Sequence, residues 1–262
     1  MPSYFISLSY NGKNYNGWQS QKNSTGIQQV IEEKMSLKLR RQIKLTGAGR
    51  TDTGVHASFY VASFEVEHPI EDTAWAVKEL NAFLPKDIAI HQIVSVKDGA
   101  NARFDAIKRT YHYFISTSKN PFLQDFTHRI YFPVDLNRIN RSLSYLKGTH
   151  EFDSFEKKHG SAKTTVCNVY EAECNPAPFG FYIKITANRF LRNMVRSIVG
   201  TMLKIEKENL AAEHILEVLE AKERSRAGES VPACGLFLTG IEYPKEIFID
   251  EPMKPVKNFL LK

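Results

Sequence analysis

The sequence has few of the residues that build disulfide frameworks, zinc centres or membrane anchors. Among its 262 residues only Cys167, Cys174 and Cys234 are cysteines, and no two of them have CxxC spacing. Three thiols cannot all pair, so we expect neither a disulfide scaffold nor a cysteine-rich zinc site, and we predict a reducing compartment, the cytoplasm. No run approaches the roughly 18 apolar residues of a membrane span, and no secretory signal is indicated at the N-terminus. We therefore expect no membrane partner.

Proline and glycine are also sparse, at 11 and 14 residues, which excludes a collagen-like or low-complexity chain. The apolar fraction of 42% and the charged fraction of 24% are typical of a globular protein with one large domain or two ordinary ones. Acidic residues are outnumbered, 29 against 35 basic ones, which gives a net charge of +6. This positive charge favours a polyanionic partner, but it does not identify one.

Apolar periodicity predicts strands and helices mixed along the whole chain. The segment from Tyr4 to Tyr10 alternates apolar and small polar residues, which indicates a half-buried strand. The clearest helix is predicted over residues 190–205, where apolar residues recur at helical spacing. Strict strand–helix alternation is missing, so the predicted class is α+β. We place a domain boundary after residue 103, which divides the chain into lobes of residues 1–103 and 104–262.

The segment from Gly47 to Ala57 carries the pattern most indicative of chemistry. Its glycines permit tight turns and close approach of a ligand, yet it fits neither the dinucleotide-binding nor the phosphate-loop fingerprint. The other distinctive feature of the segment is Asp52, with the basic residue Arg50 two positions before it. An ionised, oriented carboxylate is what covalent catalysis by aspartate requires, and a neighbouring cation favours that ionised form. The alternative is an aspartate that caps a turn, with Arg50 as a surface partner.

This segment closely resembles the catalytic signature of the tRNA pseudouridine synthase A family. Three positions depart from common family residues, namely Asn11, Ala187 and Val231, and they concern local turn geometry. Five further motifs resemble that family in the same order along the chain: Tyr10–Gln19, Arg103–Tyr113, Gly148–Phe155, Asn188–Arg196 and Pro232–Leu236.

The resemblance implies an enzyme that converts uridine to pseudouridine at position 38, 39 or 40 of the tRNA anticodon stem-loop, without metal or cofactor. Asp52 matches the family's catalytic aspartate, which attacks either C1′ of the ribose or C6 of the uracil. Either attack requires the target base to leave the stack and enter a pocket. Tyr111 matches the tyrosine beside the target base, whereas Tyr113 is expected in the core. Arg196 matches the arginine that forms an ion pair with the catalytic aspartate.

The same resemblance implies further contacts with tRNA and an architecture. Arg189 and Arg192 are expected on the first turns of the helix at 190–205, where the alternative is an ordinary solvated face. His56 is expected to be structural. The implied fold has two ferredoxin-like lobes that share a mixed or antiparallel sheet, with the active cleft between them, and the implied assembly is a homodimer. The predicted substrate-binding residues besides Tyr111 are all arginines: Arg50, Arg103, Arg189 and Arg192.

Two other functions remain open at this point. The positive charge and the aromatic residues also fit a non-catalytic tRNA-binding or tRNA-folding protein. A metal-dependent nuclease would need Asp52 together with Asp105 or Asp153, although no closely spaced carboxylate pair supports it. Activity of an Asp52→Ala variant separates the first alternative from the enzyme, and activity in excess chelator separates the second.

Overall fold

A computed structural model describes residues 1–19, 24–157, 163–256 and 258–261. Its helices are α1 (Ile27–Leu39), α2 (Thr73–Phe83), α3 (Leu136–Ser144), α4 (Met194–Lys207) and α5 (His214–Ala221). Its strands are β1 (Ser3–Tyr10), β2 (Thr46–Gly47), β3 (His56–Glu65), β4 (Ile88–Val96), β5 (Lys108–Ser116), β6 (His128–Arg129), β7 (Gly148–Glu151), β8 (Val166–Ala177), β9 (Gly180–Ala187) and β10 (Leu236–Glu242). The α+β class predicted from the sequence is confirmed.

The chain divides into two compact units, of which the first joins Met1–Ile107 to Leu238–Lys262. In this unit β1 lies between β4 and β3 and pairs antiparallel with both, and β2 pairs antiparallel with the other edge of β3. This order, with α1 after β1 and α2 after β3, is the split βαβ arrangement of ferredoxin-like folds. The apolar stripe of α1 is fully buried at Ile27, Ile31 and Met35.

The C-terminal segment, Leu238–Lys262, belongs to the first unit, and two of its aromatic rings pack against β1. Phe5 of β1 is fully buried, and the rings of Tyr243 and Phe248 lie edge-on to it at centroid distances of 5.0 and 6.0 Å. The Ile107 amide also donates to the Glu242 carbonyl at 2.9 Å. The structure therefore differs from the division after residue 103, which placed the whole of 104–262 in the second lobe. A contact so distant along the chain leaves no local signal.

The second unit is Lys108–Phe237. Its β9 pairs antiparallel with β5 on one side and β8 on the other, β7 pairs antiparallel with β8, and the short β6 runs parallel to β5. Helix α3 contacts β8, and α4 contacts α3 and β5. The core includes Tyr113, Ile183 and Ile198, each with 0% exposure. This confirms the expected core position of Tyr113.

Helix α4 begins later than the sequence predicted. Apolar spacing placed its start at residue 190, but the structure begins it at Met194. The preceding residue, Asn193, has φ of +66°, a left-handed conformation that an α-helix cannot contain. Asparagine tolerates this conformation better than most residues because its short polar side chain bonds locally. The prediction that Arg189 and Arg192 lie on the first helical turns is therefore wrong, and both lie in the segment between β9 and α4.

A buried histidine of β5 makes stability depend on pH. Burial lowers the pKa of His112 from 6.5 to about 4, with a smaller contribution from the positive charge of Lys184. Because the unfolded chain takes up this proton near pH 6.5 and the folded protein only near pH 4, stability falls as pH decreases between these values. We expect wild type to lose about 2 kcal/mol more than His112→Gln between pH 7.5 and pH 5, measured by urea unfolding. Equal losses would show that His112 is not the group responsible.

Candidate active site

The loop from Ala48 to Val55 connects β2 to β3 and carries Asp52. At its start the Ala48 amide donates to the Val61 carbonyl at 2.9 Å, and at its end the Val55 amide donates to the Asp52 carbonyl at 3.1 Å. Gly54 has φ of +76°, which this turn requires and which glycine adopts without strain. Asp52 is thus held at the start of a closed turn.

The first unit fixes the residue just before Asp52 by contacts from two distant segments. The Thr51 carbonyl accepts from the Trp18 amide at 3.2 Å. The Thr51 hydroxyl lies 2.9 Å from the Tyr10 hydroxyl, and Thr51 is buried. Asp52 itself is only half-buried, and Arg50 is exposed. The loop therefore presents the aspartate at the surface of the first unit from a backbone that is anchored beneath it.

An aromatic pair supports the start of the same loop. Trp18 and Tyr60 stack at a centroid distance of 4.0 Å, and the Tyr60 hydroxyl donates to the Gly49 carbonyl. A Cβ added at Gly47 would overlap the side chains of both Trp18 and Tyr60. Gly47 is therefore required by close packing. Trp18 lies within one of the sequence motifs, but no local pattern pointed to a role for Trp18 itself or for Tyr60, because only the fold brings either ring to the loop.

His56, at the start of β3, has a structural contact. Its exposure is 1%, and its Nδ1 atom accepts a hydrogen bond from the Gly12 amide at 3.1 Å. An accepting Nδ1 carries no proton, so the neutral ring carries its hydrogen on Nε2. The same approach leaves no room for a side chain at Gly12, because a Cβ there would overlap the Val55 carbonyl. The structural role expected for His56 agrees with this contact.

Tyr111 lies on β5 of the second unit, opposite Ile185 of β9. Its side chain is half-buried, and its ring lies edge-on to that of Phe190 at 5.1 Å with an interplanar angle of 85°. An edge contact fixes the ring plane while covering only part of the ring. Tyr113, two residues further on the same face of the strand, is fully buried.

Arg196 lies on the first turns of α4 and is half-buried. Its Nε atom donates to the Val231 carbonyl at 2.7 Å, and the Val231 amide donates back to the Arg196 carbonyl at 3.3 Å. The segment before Val231 approaches α4 closely, since a Cβ at Gly200 would overlap the Glu229 carbonyl. The guanidinium is thus oriented through Nε by a neighbouring backbone segment.

The remaining predicted arginines occupy different places. Arg103 is exposed in the first unit, with its guanidinium 5.5 Å from the ring centroid of Phe104. Arg189 is half-buried and Arg192 is exposed, and both lie between β9 and α4. The Arg192 carbonyl accepts from the Lys157 amide at 3.1 Å. Exposed guanidinium groups in these places suit phosphate contacts, which carry no sequence information.

Within the ranges that the structure describes, no group of three or more His, Cys, Asp or Glu side chains is arranged to hold a metal ion. In the same ranges, no helix has the length and apolar character needed to cross a membrane.

The comparisons with known proteins all indicate one family. A family model described as tRNA pseudouridine synthase matches residues 6–105 and 143–244. The tRNA pseudouridine synthase A of Bacteroides thetaiotaomicron is 42% identical over 264 residues, covering 100% of this chain and 98% of that protein. The protein of that name from Azobacteroides pseudotrichonymphae is 45% identical, covering 95% of this chain and 99% of its own. Its counterpart from Francisella tularensis subsp. novicida is 36% identical, covering 95% and 96%.

The fold, the anchored aspartate loop and these matches define an isomerase that acts on RNA. The chain belongs to the tRNA pseudouridine synthase family. The resemblance stated from the sequence motifs is thereby confirmed, and so is the enzyme class.

Proposed function

We propose that this enzyme isomerises uridine to pseudouridine at one or more of positions 38, 39 and 40 of the tRNA anticodon stem-loop, with Asp52 as nucleophile and without a cofactor. The observation that carries the proposal is the Asp52 loop. It lies within the matched family region, and Thr51 and the turn to Val55 hold its backbone while the aspartate stays half-buried. A nucleophile that must reach a flipped base needs this combination of rigidity and access.

The reaction breaks one bond to ribose C1′ and forms another. The Asp52 carboxylate either attacks C1′, with loss of the N1–C1′ bond, or adds to C6 of the uracil, after which the N1–C1′ bond breaks. The base then rotates and rejoins C1′ through C5, and the carboxylate leaves. C5 loses its hydrogen as a proton and N1 takes up a proton, so the product is an isomer of uridine. No oxidant, reductant or external group is consumed.

Tyr111 is proposed to stack against the target uracil. Its edge contact with Phe190 holds the ring in one plane, and its partial exposure leaves area for a base. Stacking of a flipped base on an aromatic ring contributes about 1–3 kcal/mol. The hydroxyl is also suited to proton transfer during loss of the C5 hydrogen.

The predicted arginines have supporting roles in this proposal. Arg50, Arg103, Arg189 and Arg192 are proposed to bind tRNA phosphates, in keeping with the net charge of +6. The ion pair of Arg196 with the catalytic aspartate stays a prediction of the family resemblance, as do the homodimer and the cytoplasmic location. Sedimentation of the purified protein tests the dimer.

The experiment that tests the proposal uses tRNA labelled with tritium at C5 of its uridines, in the presence of excess EDTA. We expect tritium release, and we expect pseudouridine mapping to place the product at positions 38–40. The matched control is the same tRNA with cytidine at those positions, which should release no tritium. Release from that control would move the target elsewhere in the tRNA, and dependence on a divalent ion would contradict a metal-free reaction.

A further inference from the structure

We propose that Tyr113 is a positioning residue for Arg196, acting through the backbone of Val231 and Pro232. The inference rests on the proposed function, because it assumes that Arg196 contributes to catalysis. From the sequence, Tyr113 was expected only to lie in the core.

Two consecutive carbonyl groups link these side chains. The Tyr113 hydroxyl donates to the Pro232 carbonyl at 2.7 Å, and Arg196 Nε donates to the Val231 carbonyl at 2.7 Å. The two acceptors belong to consecutive planar peptide groups that meet at Pro232, and the proline ring fixes φ there, at −52°, so only ψ can rotate between them. A shift of one carbonyl therefore changes the direction of the other, and with it the direction of the guanidinium.

The Tyr113 ring is buried and closely packed, so it can hold the Pro232 carbonyl in place. It has 0% exposure, and a Cβ added at Gly235 would lie 2.8 Å from its Cζ atom. The strand that carries it is paired with β9 at Ile183. Burial also raises the pKa of Tyr113 well above its ordinary value, so the hydroxyl remains a hydrogen-bond donor throughout the working pH range.

The segment that contains Val231 and Pro232 is also held by one hydrogen bond before it and one after it. Before it, the Gly228 amide donates to the Thr201 hydroxyl of α4 at 2.9 Å. After it, the Cys234 thiol lies 3.6 Å from the Thr127 carbonyl. The Val231 amide is bonded back to Arg196 on α4, whereas the Tyr113 hydroxyl bonds to the Pro232 carbonyl from a different element, β5. Loss of this one bond should therefore disturb Arg196 without unfolding the segment.

The test compares Tyr113→Phe with wild type in single-turnover pseudouridine formation on saturating tRNA. We expect the rate to fall by about 10- to 100-fold, the range that small misplacements of catalytic groups produce. The dissociation constant for tRNA should stay within about twofold, since loss of one hydrogen bond in the core leaves the surface unchanged. Tyr145→Phe is the matched control, because its hydroxyl also donates one bond, to Glu213 at 2.9 Å. It should keep the wild-type rate.

A double variant separates this proposal from the proposed role of Arg196. Lysine has no Nε–H donor, so in an Arg196→Lys background the further change Tyr113→Phe should leave the rate unaltered. Full independence of the two effects would show that Tyr113 does not act through Arg196, and an unchanged rate in Tyr113→Phe alone would overturn the inference. If Arg196→Lys itself keeps the wild-type rate, the assumed role of Arg196 fails instead. A lower melting temperature with a normal rate would show a merely structural tyrosine.

Discussion

Replacing Asp52 with asparagine is expected to lower pseudouridine formation by at least about a thousand-fold while tRNA still binds. The carboxylate is the proposed nucleophile, and an amide of the same size cannot form the covalent bond that the reaction requires. Asp52 is half-buried in a loop held by Thr51 and by its own backbone turn. The loop should therefore keep its shape in the variant. The measurement is tritium release from C5-labelled tRNA, alongside filter binding of the same tRNA.

Asp98→Asn is the matched control for this variant. Asp98 belongs to the same unit and is exposed, and its carboxylate lies 3.4 Å from the N-terminal amine. Exposed ion pairs of this kind contribute at most about 1 kcal/mol, so activity and stability should both match wild type. Substantial tritium release by Asp52→Asn would remove Asp52 from the role of nucleophile. A wild-type protein that binds tRNA and releases no tritium would instead support the non-catalytic tRNA-binding alternative.

The parts of the fold that the sequence predicted depend on local patterns. Alternation of apolar and small polar residues over residues 4–10 predicted a strand, and β1 spans Ser3–Tyr10. The start of α4 was wrong because apolar spacing carries no information on φ, and Asn193 adopts a left-handed conformation. The return of Tyr243 and Phe248 to cover Phe5 joins residues far apart in the chain, which no local pattern records.

The candidate site also has one part that local sequence patterns indicate and another part that only the fold reveals. Glycine density and the neighbouring charges singled out the Asp52 loop, since both are properties of a short segment. The residues that hold the site had no such signal. Trp18 and Tyr60 reach the loop, and Val231 reaches Arg196, only after the chain has folded. A motif therefore finds the reactive side chain more readily than the contacts that orient it.

Glu206→Ala is expected to lower the free energy of unfolding by about 1–3 kcal/mol, the cost of leaving hydrogen-bond donors without their buried acceptor. The Glu206 side chain has 0% exposure. It accepts hydrogen bonds from Arg138 Nε at 2.7 Å and Nη2 at 3.0 Å, and from the Asp135 amide at 2.7 Å. Alanine would leave these donors without the carboxylate that now accepts from them, so the loss exceeds that of an exposed pair. Urea unfolding at constant pH measures it.

The same carboxylate ties the last turns of α4 to the start of α3, so its removal tests how the second unit is held together. Glu213→Ala is the matched control, because Glu213 is exposed and accepts one bond from the Tyr145 hydroxyl. Glu213→Ala should lower the free energy of unfolding much less than Glu206→Ala does, since substitutions at exposed positions change stability little. Adding Arg138→Ala to Glu206→Ala should cost much less than the sum of the single changes, since the second variant removes a charge that the first left unpaired. Additive losses would show that the two side chains do not act as a pair, and a loss near zero for Glu206→Ala would mean that water replaces the carboxylate.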